Sequence, residues 1–255
     1  MNKLKLVQQN FDRAAADYLK LAKLQNTTAQ KLVAQMSNYL NSPEQIILDL
    51  GSGAGTFNHQ VSTPPNLIVS LDISRAMLKQ NHLIPAINAD AAYIPLKDNS
   101  VDLVISNLML QWPEDKHQVF NEINRILKPD GILIFVTLIK PSLHQLIDSF
   151  ANIDNQKHTL DFLSSAEYQE FLVNTGFMIT NQQQWSETFY FNDVLSLFRH
   201  FGKSGTSLPS AQRNGLGGKS TINKLEQIYP RNKDGLLALS YHYLMVTAHL
   251  GKWNN

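Results

Sequence analysis

The sequence predicts an α/β fold: a doubly wound, mostly parallel sheet with an N-terminal helical lid and further helices inserted in the C-terminal half. Three observations support this prediction. Short apolar runs alternate with helical stretches between residues 43 and 140, a pattern typical of βαβ units that form a parallel sheet. The first run ends in a glycine cluster, and acidic residues follow the next two runs. Doubly wound sheets bind their ligands at such strand ends.

Residues 1–42 are predicted to form the helical lid. Apolar residues recur at steps of three and four from about residue 4 to residue 40, which is the period of an amphipathic helix. A second helix is predicted to begin near Thr27, and Pro43 ends this segment because proline interrupts a helix.

Residues 43–140 are predicted to form the ligand-binding core. Its apolar runs and helical periods predict strands at 46–50, 67–71, 101–106 and 132–137, a short strand ending near residue 88, and helices at 74–82 and 116–127. Residues 128–131 (KPDG) predict a turn that ends the second of these helices and begins the next strand.

Residues 141–255 are less regular and are predicted to hold a substrate-binding insertion and the last strands of the same domain. The expected elements are a helix at 165–175, an exposed edge strand at 177–191, a helix at 192–201 with Asn192 as its N-cap, and a last strand at 241–250. Residues 202–220 contain five glycines, at 202, 205, 215, 217 and 218, and are expected to form a long loop, mobile without a partner.

Composition excludes several classes of protein. The apolar fraction of 43% and the charged fraction of 17% are those of an ordinary globular chain. No cysteine is present, which excludes disulfides, thiolate metal sites and cysteine nucleophiles. The N-terminus lacks the apolar stretch of a signal peptide, and no apolar run is long enough to cross a bilayer. The expected location is therefore the cytoplasm.

Glycine and acidic residues at three strand ends predict a nucleoside-binding site. Gly51, Gly53 and Gly55 follow the first strand and precede a predicted helix, and glycine permits positive φ and close approach to a ligand. Asp72 ends the second strand, 21 residues after Gly51, where an acid can accept hydrogen bonds from ribose. Asp90 follows the third strand, 18 residues later, where an acid can bind an adenine amino group. Alternatively, each acid is a strand-end residue satisfied by nearby backbone.

The spacing within residues 49–55 (DLGSGAG) favours a cationic nucleoside over a dinucleotide. Dinucleotide sites use G-x-G-x-x-G, whereas the third glycine here comes one residue early. The loop has no lysine, which excludes a P-loop. Asp49 is unfavourable beside a pyrophosphate but favourable beside the ammonium and sulfonium groups of S-adenosylmethionine.

The same segment resembles the first motif of class I methyltransferases, D/E-x-G-x-G-x-G, and the two later acids fall at that family's ribose and adenine positions. The resemblance covers about residues 40–140. It implies a Rossmann-like fold and S-adenosylmethionine as cofactor, with S-adenosylhomocysteine as product. The cofactor-binding residues that it implies are Asp49, Gly51, Ser52, Gly53, Gly55, Asp72, Ile73, Met77, Asp90, Ala91 and Asn107.

A narrower resemblance extends over most of the chain. Residues 11–18 (FDRAAADY) are similar to the F-x-R-A-A-x-x-Y opening of the malonyl-[acyl-carrier protein] O-methyltransferases of biotin synthesis, and four further segments match that family in order: 106–112, 137–143, 199–205 and 241–242. This resemblance implies methyl transfer to the free carboxylate of a malonyl group on acyl carrier protein. The ester masks the charge, so that fatty-acid synthesis can elongate the chain toward pimelate.

Arg199, Tyr18 and Trp112 are the candidate catalytic residues. A malonyl carboxylate in a dry pocket needs a counter-charge, and the Arg199 guanidinium can bind a carboxylate through two hydrogen bonds. Tyr18 is expected to cover the cofactor and Trp112 to wall the pocket. The alternatives are a solvated arginine and two ordinary core aromatics. Tyr241 and His242 are expected to serve packing, and no metal site is predicted because no ligand spacing is present.

A basic segment predicts a protein partner. From Arg199 to Asp234 the chain has seven basic residues against two acidic ones, a net charge of +5. Acyl carrier proteins are acidic, so this segment is expected to steer one toward the pocket. A solvated basic loop is the alternative. Nucleic acid is not an expected partner, because the chain as a whole is not basic and the segment has few aromatic residues, and neither is a membrane.

Three other functions remain open from the sequence. The same fold could methylate a different small-molecule carboxylate or a quinone precursor. A nicotinamide oxidoreductase would share the glycine-rich strand end. An assembly factor could keep the methyltransferase fold without turnover.

Overall fold

The computed structural model describes residues 3–16, 18, 23–61, 67–81, 85–154, 158–203 and 219–251 of the 255. Within these residues the centre of the fold is a seven-stranded sheet with the strand order β3-β2-β1-β4-β5-β7-β6. The strands are β1 (Ile46–Leu50), β2 (Leu67–Asp72), β3 (Ala86–Asn88), β4 (Val101–Asn107), β5 (Leu127–Leu138), β6 (Phe177–Phe191) and β7 (Leu237–Leu250). Strands β1 to β5 pair in parallel, whereas β7 is antiparallel to both β5 and β6. The predicted doubly wound, mostly parallel sheet is confirmed.

Helices cover both faces of this sheet. They are α1 (Lys3–Ala14), α2 (Lys23–Met36), α3 (Arg75–Leu78), α4 (Lys116–Ile126), α5 (His144–Ala151), α6 (Ser165–Asn174), α7 (Val194–Lys203) and α8 (Lys219–Ile228). Side chains of α2, α5, α7 and α8 join one buried cluster, and those of α4 and α6 join another. Neighbouring β1 residues divide between the two clusters, with Ile47 in the first and Leu48 in the second, because successive side chains of a strand point to opposite faces.

Side-chain caps explain where several helices begin. The Ser74 hydroxyl accepts a hydrogen bond from Met77 N at the start of α3, and the Asp115 carboxylate accepts one from Gln118 N at the start of α4. Ser164 forms a full capping box with Glu167 at the start of α6. Such caps satisfy backbone N–H groups that have no partner inside the helix.

Two predictions about the core were wrong. Residues 51–57 turn without forming a helix, and only the single 3₁₀ turn Asn58–Gln60 follows within the residues described up to 61. Residues 128–131 are part of β5 rather than a separate turn, although Asp130 has a φ of 64°. Val101 pairs with Leu127, and Leu103 pairs with Ile132. Residues 128–131 are therefore accommodated as an irregularity in the β4–β5 ladder.

The C-terminal half also differs from the sequence prediction. Helix α7 begins two residues late, with Asp193 rather than Asn192 as its cap, because Asp193 Oδ1 accepts from Ser196 N at 2.6 Å. Helix α8 overlaps the end of the expected 202–220 loop by two residues and continues through residues for which no element was predicted, whereas residues 204–218 of that loop fall outside the described residues. Strand β7 begins at Leu237, four residues early, and lies inside the sheet, whereas β6 is at the edge as predicted.

Candidate active site

A pocket opens at the carboxyl ends of β1, β2 and β4. Side chains of α1 form part of its wall, together with the turn after β1 and the segment after β3. Nine of the predicted site residues line it: Tyr18, Gly51, Gly53, Asp72, Ile73, Asp90, Ala91, Asn107 and Trp112. The position agrees with the general location of ligand sites in doubly wound sheets.

The turn after β1 has glycines with positive φ at three positions, and two of them leave no room for a side chain. Gly51 and Gly55 have φ values of 74° and 84°, in the left-handed region that L side chains rarely adopt. A Cβ on Gly51 would collide with the Met109 side chain, and one on Gly55 would lie 2.7 Å from Asn81 Cγ. Gly53 is less crowded, since its nearest neighbour would be Tyr18 Cε1 at 3.8 Å. The backbone is therefore held close to the pocket without side chains in the way.

Asp72 ties the glycine turn to the end of β2. Its carboxylate accepts hydrogen bonds from Gly53 N and Ser74 N, each at 2.8 Å. Burial raises the pKa of Asp72 to about 6, while the two backbone donors act in the opposite direction. At neutral pH the pocket therefore has an ionised carboxylate whose position is fixed by two backbone groups.

Asp49 lies beneath the turn, in a buried polar network. It is 1% exposed and does not line the pocket. Asn58 Nδ2 lies 3.4 Å from Asp49 Oδ2 and 3.3 Å from Ser70 Oγ, and Asn81 Nδ2 donates to the same hydroxyl at 2.8 Å. Burial and the nearby charge of Asp72 raise the pKa of Asp49 to about 8. A cation near the pocket would favour ionisation of Asp49.

Asp90 lies in the segment after β3, and hydrogen bonds from the backbone of nearby residues fix its position. Its Oδ1 accepts from Ala92 N at 3.0 Å, and its carbonyl accepts from Tyr93 N at 2.9 Å. Asp90 lines the pocket together with Ala89 and Ala91. The structure thus places a carboxylate between two small apolar residues, an arrangement suited to a flat base with a hydrogen-bond donor.

Aromatic side chains line the pocket on the side of the lid. Phe11 contacts Tyr18 and Trp112 edge to face, with ring centroids 6.3 and 5.4 Å apart. Tyr18 is 7% exposed, and burial raises its pKa above the ordinary value. Phe11 was not among the predicted site residues, although it belongs to the 11–18 motif.

Hydrogen bonds of Gln8 and Asp12 fix α1 to the core. Ser74 Oγ donates to Asp12 Oδ1 at 2.6 Å, and Gln8 Nε2 donates to the Ile73 carbonyl at 3.0 Å. Both partners on the core side lie at the end of β2, next to the pocket. Gln8 and Asp12 were not predicted as site residues, because nothing local to α1 indicates which core groups they meet.

Asn107, at the end of β4, has a side-chain oxygen that accepts no hydrogen bond from the described residues. Its Nδ2 donates to the Gln25 carbonyl at 3.0 Å, whereas its buried Oδ1 has no hydrogen-bond partner among them. A buried acceptor without a partner is costly, and Asn107 lines the pocket. This atom is suited to accept a hydrogen bond from a bound ligand.

Four other predicted residues lie outside the pocket lining. Ser52 and Gly55 are buried in the turn, and Met77 packs with Tyr18 in a small cluster. Arg199 is exposed on α7. The pKa of Asp193 is lowered mainly by the hydrogen bond from Ser196 N, and the positive charge of Arg199 lowers it further. The structure therefore does not bring Arg199 to the pocket wall, and its substrate role stays a prediction.

The charge of the pocket indicates the kind of ligand it fits. Two lining residues, Asp72 and Asp90, are acidic, and none of the described lining residues is Lys, Arg or His. Phosphate sites provide cationic groups or helix N-termini, whereas this lining favours a cation and hydroxyl or amino donors. In the described part of the chain, no group of three or more His, Asp or Glu side chains is arranged to hold a metal ion. Each described helix is also too short or too polar to span a membrane.

Comparisons with known proteins agree with this architecture. A geranyl diphosphate C-methyltransferase from Streptomyces coelicolor A3(2), solved with S-adenosyl-L-homocysteine, has a TM-score of 0.55 and 15% identity, covering 92% of this chain and 84% of that one. At this identity the likeness shows the fold alone. Residues 48–135 match a family model described as a methyltransferase domain.

Relatives in sequence define the family more narrowly. The malonyl-[acyl-carrier protein] O-methyltransferase of Herminiimonas arsenicoxydans is 32% identical over 248 residues, which cover 94% of this chain and 93% of the relative. The biotin biosynthesis bifunctional protein BioHC of Saccharophagus degradans is 29% identical, and the match covers 92% of this chain but 44% of that longer protein. The chain belongs to the malonyl-[acyl-carrier protein] O-methyltransferase family.

Proposed function

We propose that this chain transfers the methyl group of S-adenosylmethionine to the free carboxylate of a malonyl group on acyl carrier protein, a step of biotin synthesis. The observation that carries the proposal is the acidic pocket at the carboxyl edge of the sheet, in a chain of this family. When bound, S-adenosylmethionine supplies a methyl group on a sulfonium, and this group moves to a carboxylate oxygen while the electrons of the C–S bond stay with sulfur.

The pocket residues would hold this cofactor through complementary groups. Asp72 would accept from the ribose hydroxyls and Asp90 from the adenine amino group. The unused Asn107 Oδ1 offers one further acceptor. Asp49 would act through its charge from beneath the turn rather than by contact, since it does not line the pocket.

The residues of the chain have mainly to position the acceptor and exclude water. A malonyl carboxylate, with an ordinary pKa of about 4, is already ionised at neutral pH, so no general base is needed. Phe11, Tyr18 and Trp112 provide an apolar wall. Alignment of the reacting groups can lower a barrier by roughly 7–11 kcal/mol in favourable cases.

A nicotinamide oxidoreductase fits the pocket less well. A dinucleotide would place its pyrophosphate beside the glycine turn, close to Asp72 and above Asp49, with no cation in the described lining. Titrating NADH and S-adenosylmethionine separately against the purified protein tests this point. We expect saturable binding of S-adenosylmethionine alone; saturable binding of NADH alone would overturn the proposal.

Arg199 is proposed to bind the malonyl carboxylate. Arg199→Ala is expected to lower kcat/KM by about tenfold or more, because a charged hydrogen bond is lost. The loss should be equal for malonyl carrier protein and malonyl-coenzyme A, since both present the same carboxylate, and S-adenosylmethionine affinity should not change. Steady-state kinetics with the two thioesters checks this. Unaltered kinetics would leave Arg199 as a solvated helix residue.

Exposed lysines on α8 are proposed to steer the carrier protein. Lys219 and Lys224 are exposed, whereas the nearby Arg231 is paired with Glu226. Charge reversal of both lysines should raise KM for malonyl carrier protein about tenfold at low salt, and much less at 0.5 M salt. KM for malonyl-coenzyme A should remain within about twofold of the wild-type value. Equal losses with both thioesters would contradict a docking role.

A further inference from the structure

The segment of residues 89–98 shapes one wall of the pocket without secondary structure of its own. It connects β3 to β4 and contributes Ala89, Asp90 and Ala91 to the lining. Within it, Tyr93 N donates to the Asp90 carbonyl and Leu96 N donates to the Ile94 carbonyl. These two turns alone do not place the segment relative to the sheet, so its position must depend on groups from elsewhere.

One backbone hydrogen bond ties the start of the segment to β2, from Ala89 N to the Asp72 carbonyl at 3.2 Å. Helix α4 supplies the side-chain contacts further along. Gln118 Nε2 donates to the Ala92 carbonyl at 3.0 Å. Glu122 Oε2 accepts from Ile94 N at 2.7 Å, and Arg125 Nη2 donates to the Ile94 carbonyl at 2.8 Å. Both backbone polar groups of Ile94, in the segment's centre, are therefore bound by two charged side chains of one helix.

Arg125 makes four further hydrogen bonds. Nη1 donates to the Leu96 carbonyl at 2.8 Å and to Asp98 Oδ1 at 2.6 Å. Nε and Nη2 donate to the two oxygens of Glu122 at 2.7 and 2.9 Å. Hydrogen bonds from Arg125 hold the pKa of Glu122 below its usual range, so the pair stays charged. A planar guanidinium can bind this many acceptors at once, whereas an ammonium cannot.

The helix that carries this pair is itself fixed. Phe120 and Ile123 of α4 are fully buried in the core cluster on that face of the sheet. From this rigid base the contacts reach the pocket in few steps: Gln118 binds the carbonyl of Ala92, and the amide of Ala92 binds the side chain of Asp90. Glu122 and Arg125 bind Ile94, two residues further along the segment, so losing their hydrogen bonds would release the chain next to Ala92 and move a carboxylate that faces the ligand.

We propose that Arg125 and Glu122 are positioning residues that set the adenine specificity of the pocket by clamping residues 89–98 to α4. The inference rests on the proposed function, because it assumes that Asp90 accepts from the adenine amino group. Neither residue lines the pocket, so both act through the segment. Supporting contacts of this kind determine how precisely a binding group is held.

The test compares S-adenosylhomocysteine with S-inosylhomocysteine, which has a 6-oxo group and an N1–H where the former has a 6-amino group and an unprotonated N1. The wild-type protein should bind S-adenosylhomocysteine at least about tenfold more tightly than S-inosylhomocysteine, whose 6-oxo group cannot donate to Asp90. Arg125→Lys keeps the positive charge but loses the planar guanidinium and most of its hydrogen bonds. It should weaken S-adenosylhomocysteine binding about tenfold. Binding of S-inosylhomocysteine should change less than about twofold, so the preference collapses.

Two further variants separate positioning from a general loss of structure. Lys128→Ala breaks another partly exposed ion pair, with Asp102, and should leave both affinities unchanged. In an Asp90→Ala background, Arg125→Lys should add less than about twofold to the loss. Arg125→Lys with weaker binding but an intact 6-amino preference would overturn the inference. Failure of the wild-type protein to bind S-adenosylhomocysteine at all would instead overturn the proposed function.

Discussion

Replacing Asp72 with alanine should weaken S-adenosylmethionine binding by about 100-fold. A charged hydrogen bond contributes about 1.5–3 kcal/mol, and about 1.4 kcal/mol corresponds to a tenfold change in affinity. Asp72 is expected to accept from ribose, and it also binds Gly53 N and Ser74 N. Its loss therefore removes a ligand contact and leaves two backbone donors of the pocket without their partner. Isothermal titration calorimetry measures the change directly.

Asp102, near the amino end of β4, provides a matched control away from the pocket. Asp102 also accepts from a backbone amide, Ile46 N at 2.8 Å, and pairs with Lys128, but it does not line the pocket. Asp102→Ala should lower stability while leaving cofactor affinity within about twofold. Asp72→Asn, which keeps an acceptor without the charge, should fall between wild type and alanine. Unchanged affinity in Asp72→Ala would refute the ribose assignment.

Asp49→Asn should make the ligand-free protein more stable and the complex weaker. The folded-state pKa of Asp49, about 8, lies above its ordinary value of 3.8. A raised carboxyl pKa means that the folded state prefers the protonated form, so this group costs stability increasingly as pH rises from 4 to 8. The isosteric amide is free of that cost. At pH 8 we expect a gain of at least about 1 kcal/mol, or about 2–4 °C in Tm, shrinking toward pH 5.

Proton release on binding distinguishes this effect from simple repacking. A cationic ligand should lower the pKa of Asp49, so that the wild-type protein releases a proton when it binds S-adenosylmethionine near pH 7.5. Calorimetry in two buffers of different ionisation enthalpy counts that proton. Asp49→Asn should release less and bind more weakly. A variant that matches the wild type in proton release and in the pH dependence of Tm would refute a charge role for Asp49.

The parts of this site that are local in sequence were predictable. Gly51 and Gly53 follow a buried apolar run, and Asp72 and Asp90 end the next two runs, so strand period and turn chemistry place all four at one edge. The parallel pairing of β1 to β5 follows from the alternation of strands and helices. What a glycine cluster does not determine is whether a helix follows it, and here the described chain makes only one 3₁₀ turn.

The parts that depend on distant side chains were not predictable. Asn58 and Asn81 contact Ser70 only in the folded chain, so no spacing of residues in the sequence predicts the hydrogen-bond network around Asp49. Helix α8 follows a glycine-rich stretch of the sequence, and Leu225 packs it into the core, a contact that local sequence does not indicate. For Arg199 the residue type alone was not sufficient for prediction. A guanidinium suits a carboxylate, but the exposed position of Arg199 on α7 does not place it at the pocket.

The most decisive measurement is a methyl-transfer assay with malonyl carrier protein, malonyl-coenzyme A and free malonate as parallel acceptors, using S-adenosylmethionine labelled in its methyl group. We expect base-labile label on both thioesters, as a methyl ester requires, with the highest kcat/KM for the carrier protein and little transfer to free malonate. Asp72→Ala serves as the matched control and should lose transfer at low cofactor concentration. Transfer to free malonate as fast as to the carrier protein, or no transfer to any of the three acceptors, would contradict the proposed function.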